Sequence, residues 1–492
     1  MKYLFLFCNL LVVFGLFGQN VHRWTRTYDR EDLPEATSAT CQLSDSTYRI
    51  CVNNLEPSDG FMQVLSVDQY GDTLISGMIE DSTNFFLLGG TNSVINRPDD
   101  SWLWAGAVVP RTGGDAQGHV KCFDVNNNIL WSLSVDTNLN NGFTSLCLTQ
   151  DGGACLVGLI EDTGQGDAFV VRIDSNGDTL WTSSYGGGNG EIGNSIQETS
   201  DLGFVIGGYR RLNSLNTDTW VFKIDANGNM MWDELFGGPH RDNGGAVQEL
   251  TNGDLIIATA RALEQWPSPA KNAALILIDQ FGNEQWTEIY FDSIPTSFRT
   301  APIIIEGEGL VIAGEKRFYS DHGLLMKVDT VGQPIWERTF STSQIANQEI
   351  RDLKATKGGG FIMTGVAYDS LLISKDAWLV KVDSFGCLVP GCQIFDGLEE
   401  QFTDLNQYLT LAPNPAHEST ALDFQLPHDF QLNGPIELSL ISVDGRLVHQ
   451  EKLRDQLSIL HRIDLSGLSS GVYFVHLRDG NRWLAGKKLV VQ

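Results

Sequence analysis

The chain has 492 residues, 42% of them hydrophobic and 19% charged, which is enough for several domains or a large repeat array. Its formal net charge is −28, and −27 of that lies before residue 409. Because nucleic acids and anionic membrane surfaces both select basic patches, this charge argues against either as a partner and indicates a solubilising extracellular surface.

The first 18 residues are typical of a secretory signal peptide. Lys2 precedes an apolar run from Tyr3 to Phe17 that only Asn9 interrupts, and Gly18 is the expected cleavage position. The run is short for a membrane-spanning helix, and no later window is suitable. We therefore predict an exported chain with no membrane span after signal removal.

A short phrase, D-x-x-G-x-x-x-W, recurs along the region 19–392. Seven aspartate anchors follow one another at intervals of 50 to 56 residues, and each interval contains four short strand-like runs separated by Gly, Asn and Asp. Four strands in a repeat of this length are typical of a β-propeller blade. The complete copies are Asp174–Gly177–Trp181, Asp225–Gly228–Trp232, Asp279–Gly282–Trp286 and Asp329–Gly332–Trp336; weaker copies start at Asp68, Asp124 and Asp383.

The two ends of the repeat region complement each other. Residues 24–28, which begin with Trp24, resemble the Trp181–Tyr185 run, whereas the last copy, at Asp383–Gly386, is followed by no tryptophan. The first strand is therefore expected to complete the last blade, which leaves no open sheet edge. We predict an all-β fold: a seven-bladed propeller over residues 19–392 with first-to-last strand closure.

The recurring phrase has a structural interpretation. Asn-Gly at 176–177 and 227–228 favours the positive φ of tight hairpins, and aspartate at the start of a turn accepts backbone N–H groups. The tryptophan is large enough to fill the gap between twisted blades. Calcium binding is the alternative, but the spacing D-x-[DN]-x-[DN]-G is absent, so no metal and no cofactor are predicted.

Seven cysteines remain after signal removal, in a compartment that permits disulfides. Three local pairs with Cys122 left over are the simplest arrangement, and no His/Cys cluster has zinc spacing. The candidate pairs are Cys41 with Cys51, Cys147 with Cys155, and Cys387 with Cys392.

The C-terminal part, residues 409–492, follows a predicted linker at 393–408 and has short strand runs that suggest a small β-sandwich. Its motifs are Pro413-Asn414-Pro415, a strand and turn containing Asp444-Gly445, a run containing Gly471 and Tyr473, and a closing segment 487–492. This tail resembles the type A C-terminal sorting domain of the type IX secretion system of Bacteroidetes. The resemblance implies recognition by that machinery, export across the outer membrane, and release or attachment at the cell surface.

The repeats resemble those of secreted Bacteroidetes propellers and the tryptophan-docked blades of quinoproteins and their non-enzymatic relatives. That similarity concerns packing and assigns no activity. We found no nucleophile elbow, zinc-protease motif or phosphate loop.

Candidate ligand-binding residues lie in loops expected on one propeller face. They are Arg211, His240, Arg241, Trp266, Arg317 and Tyr319. The favoured hypothesis is a non-enzymatic binding or adhesion module for an extracellular glycan or protein. The alternative is a carbohydrate-active or quinoprotein-like enzyme, which carboxylates and arginines converging from several blades would support.

Overall fold

The structure is a computed structural model, and its described part is built from β-strands, which confirms the all-β prediction. The described residues are 23–28, 35–43, 47–54, 61–90, 92–135, 137–162, 165–187, 190–262, 271–291, 294–317, 321–341, 347–357, 359–368, 375–388, 401–402, 405, 408–427, 430–432, 434–442, 447–453, 458–479 and 482–492. They form two compact units, one up to Val382 and one from Asp383 onwards.

The described residues of the first unit form seven antiparallel sheets. The first strand in the chain, β1 (Trp24–Tyr28), belongs to the last of these sheets. Sheet 1 has β2 (Glu35–Gln42), β3 (Tyr48–Asn54), β4 (Phe61–Val67) and β5 (Thr73–Glu80). Sheet 2 has β6 (Asn84–Leu88), β7 (Val94–Asn96), β8 (Trp102–Pro110), β9 (Gln117–Phe123) and β10 (Ile129–Val135). Sheet 3 has β11 (Asn140–Leu148), β12 (Ala154–Asp162), β13 (Gln165–Ile173) and β14 (Thr179–Tyr185).

The remaining sheets of this unit follow the same order. Sheet 4 has β15 (Glu191–Glu198), β16 (Phe204–Arg211), β17 (Thr217–Ile224) and β18 (Met230–Phe236). Sheet 5 has β19 (Ala246–Glu249), β20 (Leu255–Ala262), β21 (Lys271–Ile278) and β22 (Glu284–Ile289). Sheet 6 has β23 (Thr296–Phe298), β24 (Ile303–Ile305), β25 (Gly309–Arg317), β26 (Asp321–Val328) and β27 (Pro334–Phe340), and sheet 7 has β28 (Gln348–Ala355), β29 (Phe361–Tyr368) and β30 (Lys375–Val382).

Successive sheets pack against one another, and sheet 7 packs against sheet 1. The middle strands supply most of the core: in β17 every residue after Thr217 is buried, whereas β18 is mostly exposed. Small antiparallel sheets stacked in this cyclic order are the arrangement of a β-propeller, and this fold class is confirmed.

The first strand of the described chain belongs to the last sheet. β1 pairs antiparallel with β30, with Trp24 opposite Lys381 and Tyr28 opposite Ala377. Across the junction of sheets 7 and 1, the Thr40 N–H donates to the Asp352 carboxylate at 3.0 Å. The junction of sheets 4 and 5 has a corresponding hydrogen bond from the Val247 N–H to Ser195 Oγ, also at 3.0 Å. Sheets 7 and 1 thus meet through the same kind of contact as sheets that are consecutive in the chain.

The recurring aspartate starts each turn by accepting backbone N–H groups. Asp174 Oδ1 accepts from Asn176 at 2.8 Å and from Asp178 at 2.9 Å, and Gly177 follows at a φ of 90°. The carboxylate therefore serves the turn. The same pair of hydrogen bonds recurs at Asp68, Asp124, Asp225, Asp279, Asp329 and Asp383.

The recurring tryptophan packs on the glycine of the following repeat. Trp181 lies against Gly228, and its indole N–H donates to the carbonyl of Ala226 at 3.1 Å. Four residues later, the Tyr185 hydroxyl donates to the carbonyl of Gly228 at 2.6 Å. These contacts join neighbouring sheets. Equivalent tryptophan–glycine contacts are Trp24 with Gly71, Trp131 with Gly177, Trp232 with Gly282, and Trp286 with Gly332.

The second unit has a five-stranded sheet and a three-stranded sheet, which agrees with the predicted sandwich. Its strands are β31 (Gln401–Phe402), β32 (Leu409–Ala412), β33 (Ser419–Gln425), β34 (Ile436–Ser442), β35 (Leu447–Lys452), β36 (Ser458–Asp464), β37 (Gly471–Asp479) and β38 (Arg482–Val491). Because β31 pairs with β38, residues 401–402 of the predicted linker belong to this unit.

Two of the tail motifs are in contact. The Asn414 side chain donates to the carbonyl of Lys488 at 2.6 Å and accepts from the Val490 N–H at 2.9 Å. Thr420 Oγ1 donates to the carbonyl of Pro413, two residues before Pro415 in the same motif. The Pro-Asn-Pro segment is therefore held against the last strand.

The other predicted motif residues of the tail are placed as follows. Gly471 lies opposite Val491, and the Tyr473 hydroxyl donates to the Ser469 carbonyl at 2.8 Å. Asp444 and Gly445 lie outside the described residues.

Two predicted disulfides are not formed in the structure. Cys41, Cys51, Cys147 and Cys155 are free thiols, and so is Cys122. Cys41 lies opposite Arg49 and Cys51 opposite Ala39, so the first pair is offset along the strands, whereas Cys147 and Cys155 lie directly opposite one another. Cys387 is disulfide-bonded; its predicted partner, Cys392, lies outside the described residues, so that pairing stays a prediction.

Candidate functional site

The predicted ligand residues fall on one edge of the sheets. We define the loop face as the edge with the connections from second to third strands and from each fourth strand to the next sheet. Arg211 ends β16 and Arg317 ends β25, while His240 and Arg241 lie between β18 and β19. All four are therefore on the loop face. Trp266 and Tyr319 lie outside the described residues.

The segment 237–242 is anchored to the neighbouring loop of sheet 4. The Asp242 N–H donates to the carbonyl of Thr217 at 2.7 Å, and Thr217 Oγ1 donates to the carbonyl of Asp242 at 2.9 Å. Asn216 donates to the carbonyl of Gly238 at 2.9 Å, and the Arg241 guanidinium donates to the carbonyl of Ser214. Arg241 thus fixes the loop. A segment held at both ends is pre-organised for binding.

A concave pocket of about 170 Å³ opens beside this segment. We call it the His240 pocket; Pro239, His240, Asp242, Arg261, Ala262 and Ile289 line it together with Gly237 and Gly238. Of the predicted ligand residues, His240 is in the pocket. Asp242 and Arg261 were not among the predicted ligand residues; Arg261 is distant from Asp242 in the sequence, and only the fold brings the two together.

A second group of charged side chains lies on the loop face of sheets 6 and 7. Three arginines are each paired with a carboxylate there, and we call these six residues the acid–arginine cluster. The shortest distances are 2.9 Å for Arg299–Glu315, 2.5 Å for Arg317–Asp321 and 3.1 Å for Arg351–Glu349. Arg317 was a predicted ligand residue, and the structure shows its guanidinium engaged by Asp321 through two hydrogen bonds.

The carboxylates of this cluster influence each other across the two sheets. Burial raises the pKa of the Glu315 carboxyl, Arg299 opposes that shift, and the charge of Glu349 from sheet 7 adds to it. The Tyr368 hydroxyl donates to Glu349 at 3.3 Å. Burial raises the pKa of Tyr368, and Glu349 raises it further. The cluster is thus one electrostatic unit built from two repeats.

Bulges in the first strands place two of these arginines. The strand register shifts between Ile350 and Asp352, so that Arg351 is the extra residue. Gly365 lies opposite Ile350, and a Cβ there would be 1.8 Å from the carbonyl oxygen of Glu349. Arg299 likewise follows a residue opposite a second-strand glycine. Such glycines are the sequence signal for this position, and they occur at Gly158, Gly208, Gly314 and Gly365.

The part of the chain that the structure describes contains no group of three or more His, Cys, Asp or Glu side chains arranged to hold a metal ion. Within the same described ranges, no helix has the length and apolarity needed to cross a membrane.

Residues 410–492 match the family of secretion system C-terminal sorting domains. This match agrees with the tail motifs and confirms the sorting-domain prediction. The protein is a propeller carrying a type IX sorting domain, and it is secreted or attached to the cell surface. No curated protein matches the chain.

Several solved structures are similar to the chain at low identity. A periplasmic gluconolactonase of Pseudomonas aeruginosa is 14% identical with a TM-score of 0.45, covering 69% of this chain and 97% of its own. The polysaccharide lyase Uly1 is 11% identical with a TM-score of 0.43, covering 75% and 93%. The propeller domain of the Trilobed protease from Pyrococcus furiosus is 9% identical with a TM-score of 0.43, covering 74% and 99%. At these identities and TM-scores, the similarities assign no activity to this chain.

Proposed function

We propose that this protein is an exported, non-enzymatic binding module that holds an extracellular glycan or protein ligand on its loop face. The observation that carries the proposal is the pairing within the acid–arginine cluster. Glu315, Asp321 and Glu349 each lie within 3.1 Å of an arginine nitrogen. A carboxylate held by a guanidinium is a poor proton shuttle, whereas the pair offers both donors and acceptors to a polar ligand.

The contrast between turns and loops supports this proposal. The turns that begin at the aspartate anchors repeat the same hydrogen bonds from sheet to sheet, as at Asp174 and Asp225. The loop face instead carries different side chains: the second strand ends at Arg211 in sheet 4, at Ala262 in sheet 5 and at Tyr368 in sheet 7. Variable loops on a rigid scaffold are the usual place for binding residues.

The experiment is a binding screen with the full exported chain on glycan and peptide arrays, followed by titration of any ligand found. Arg351→Gln breaks one pair of the cluster and is expected to weaken binding about tenfold, as loss of a charge-assisted hydrogen bond does. Lys327→Gln is the matched control, because it breaks the Lys327–Glu308 pair at the opposite edge of sheet 6. Absence of binding to every glycan and peptide would contradict the proposal.

A carbohydrate-active enzyme is the second candidate, and one observation favours it. Glu315 has a raised pKa and is electrostatically coupled to Glu349 of the next sheet, as a general acid beside a second carboxylate would be. The test is incubation of the full chain with polysaccharides and detection of new reducing ends or unsaturated products. Turnover that Glu315→Gln abolishes would replace the binding proposal, and turnover unchanged in that variant would exclude Glu315 as the acid.

A further inference from the structure

Asp242 is buried with an unused acceptor. Its residue is 4% exposed, and one carboxylate oxygen, Oδ1, accepts the Ala262 N–H at 2.8 Å. The other oxygen, Oδ2, is buried without a hydrogen-bond partner, although the residue lines the His240 pocket. Buried polar atoms are nearly always paired, so an unpaired carboxylate oxygen at a pocket wall points to a partner supplied by a ligand.

A second buried carboxylate lies directly behind the pocket wall. Asp218 is 8% exposed, and its Oδ1 also has no hydrogen-bond partner. The wall at this point is Gly237, where a Cβ would be 2.3 Å from the Asp218 carboxyl carbon. Any larger residue at 237 would collide with Asp218. The glycine therefore allows the loop to approach the buried acid closely.

A guanidinium and an imidazole complete the polar lining. Arg261 is half-buried and, among the described residues, forms neither a hydrogen bond nor an ion pair. Burial raises the pKa of both Asp242 and Asp218, and the positive charge of Arg261 opposes both shifts. The negative charge of Asp218 raises the pKa of Asp242 further. The pocket thus offers hydrogen-bond acceptors and donors side by side, and among the described residues no ion pair involves Asp242 or Arg261.

This lining selects a neutral ligand rich in hydroxyl groups. Two carboxylates disfavour an anion, and Arg261 disfavours an ammonium group. A hydroxyl both donates and accepts, so two adjacent hydroxyls can pair with Asp242 and Arg261 at once. Ala262 and Ile289 supply an apolar wall for the carbon atoms of a ring. A cavity of about 170 Å³ suits one ring better than an extended peptide.

We propose that the His240 pocket is a binding site for a single neutral sugar residue, with its hydroxyls held between Asp242 and Arg261. The inference rests on the proposed binding function and assigns it a ligand class at a loop-face site that shares no residue with the acid–arginine cluster. His240 lies at the same pocket and contacts the bound sugar.

The experiment uses the full exported chain and three variants. Asp242→Asn keeps the acceptor for the Ala262 N–H and removes the carboxylate charge, and Arg261→Gln removes the guanidinium. Asp178→Asn is the matched control, because Asp178 is an exposed turn carboxylate in sheet 3. Calorimetric titrations are run with neutral mono- and disaccharides found on the array, and in separate arms with short peptides. We expect saccharide binding that Asp242→Asn and Arg261→Gln each weaken about tenfold, and that Asp178→Asn leaves unchanged.

Thermal unfolding of the same proteins separates a binding role from a structural one. A buried, unpaired carboxylate destabilises the ligand-free protein, so Asp242→Asn is expected to unfold at the same temperature as wild type or higher. At one saccharide concentration, the unfolding temperature should rise more for wild type than for this variant. If Asp242→Asn fails to fold, Asp242 is structural, and retention of saccharide affinity by Arg261→Gln then overturns the site.

The remaining outcomes distinguish the site from the wider function. Saccharide binding that neither pocket variant changes would overturn the pocket and leave the binding module intact. Peptide binding that depends on Asp242, without any saccharide binding, would overturn the ligand class. No binding in either arm would remove the proposed function and this inference together.

Discussion

Trp24 donates its indole N–H to the carbonyl oxygen of Gln69 at 2.9 Å, although the two residues belong to different sheets. Trp24 is in β1, which completes sheet 7, and Gln69 is in the turn after β4 of sheet 1. The Tyr28 hydroxyl adds a 2.7 Å hydrogen bond to the carbonyl of Gly71. The first strand therefore joins the last sheet to the first repeat with the contacts that consecutive sheets use, such as Trp181 with Ala226.

Removal of the Trp24 side chain is expected to destabilise the propeller strongly. Trp24 is 3% exposed, and Trp24→Ala removes both its packing on Gly71 and its hydrogen bond, at a cost of about 3–5 kcal/mol. Urea unfolding of the full chain measures the loss. Leu74→Ala is the control, since Leu74 is 54% exposed, and equal stability of the two variants would contradict this account of the junction.

Two glycines with the same backbone conformation should respond differently to substitution. Gly177 and Gly253 have φ of 90° and 87°, so alanine at either costs about 1–2 kcal/mol of conformational energy. At Gly177 the added Cβ would also lie 2.6 Å from the Trp131 ring, whereas Gly253 has open space. We expect Gly177→Ala to lose about 1–3 kcal/mol more than Gly253→Ala in urea unfolding. Equal losses would mean that the tryptophan adjusts freely.

The turn aspartates predict a loss of stability in acid. Hydrogen bonds from neighbouring side chains or backbone N–H groups lower the pKa of four of them below the usual 3.8: Asp124, Asp174, Asp225 and Asp279. A carboxyl with a lowered folded pKa contributes stability above its unfolded pKa and loses it as the pH falls through the folded pKa. The thermal midpoint should therefore fall below about pH 4. A variant with asparagine at all four positions should show a shallower fall, and an unchanged profile would contradict the assignment.

Cys41, Cys51, Cys147 and Cys155 should resist alkylation in the folded protein. Burial raises the pKa of Cys41 and of Cys147 to about 12, and that of Cys51 and Cys155 well above its usual value. Since the thiolate is the reactive form, iodoacetamide should modify them only after unfolding. Intact-mass measurement with and without denaturant tests this. If the unfolded protein is labelled only when a reductant is also present, the disulfides predicted from the cysteine spacing do form.

Features that repeat along the chain could be predicted from the sequence, because each copy makes the same packing contacts. The Asp174–Gly177–Trp181 phrase predicted turns and tryptophan contacts because the turn requires positive φ at Gly177 and an acceptor at Asp174. The tail was accessible through Pro413-Asn414-Pro415 and its companion motifs.

The two candidate sites could be predicted from the sequence only in part, because the fold brings together residues that are distant in the sequence. Asp218 and Asp242 stand in separate segments of sheet 4 and the following loop, and no spacing rule joins them. Arg299 and Arg351 occupy corresponding positions, but only the bulges opposite Gly314 and Gly365 reveal this. His240 was predicted as a ligand-binding residue from the composition of its loop, and composition does not show that Arg261 lies in the same pocket.

The position of β1 in sheet 7 sets an order of events for folding. β1 is synthesised before every other described strand but must wait for Lys375–Val382, since Trp24 pairs with Lys381. Until β1 pairs with it, β30 presents an unpaired edge that can associate with other chains. Because this pairing joins residues far apart in the sequence, it slows the last step of propeller folding. That step also depends on completion of the chain through β30. A chain that stops short of residue 375 would lack the partner of its own first strand.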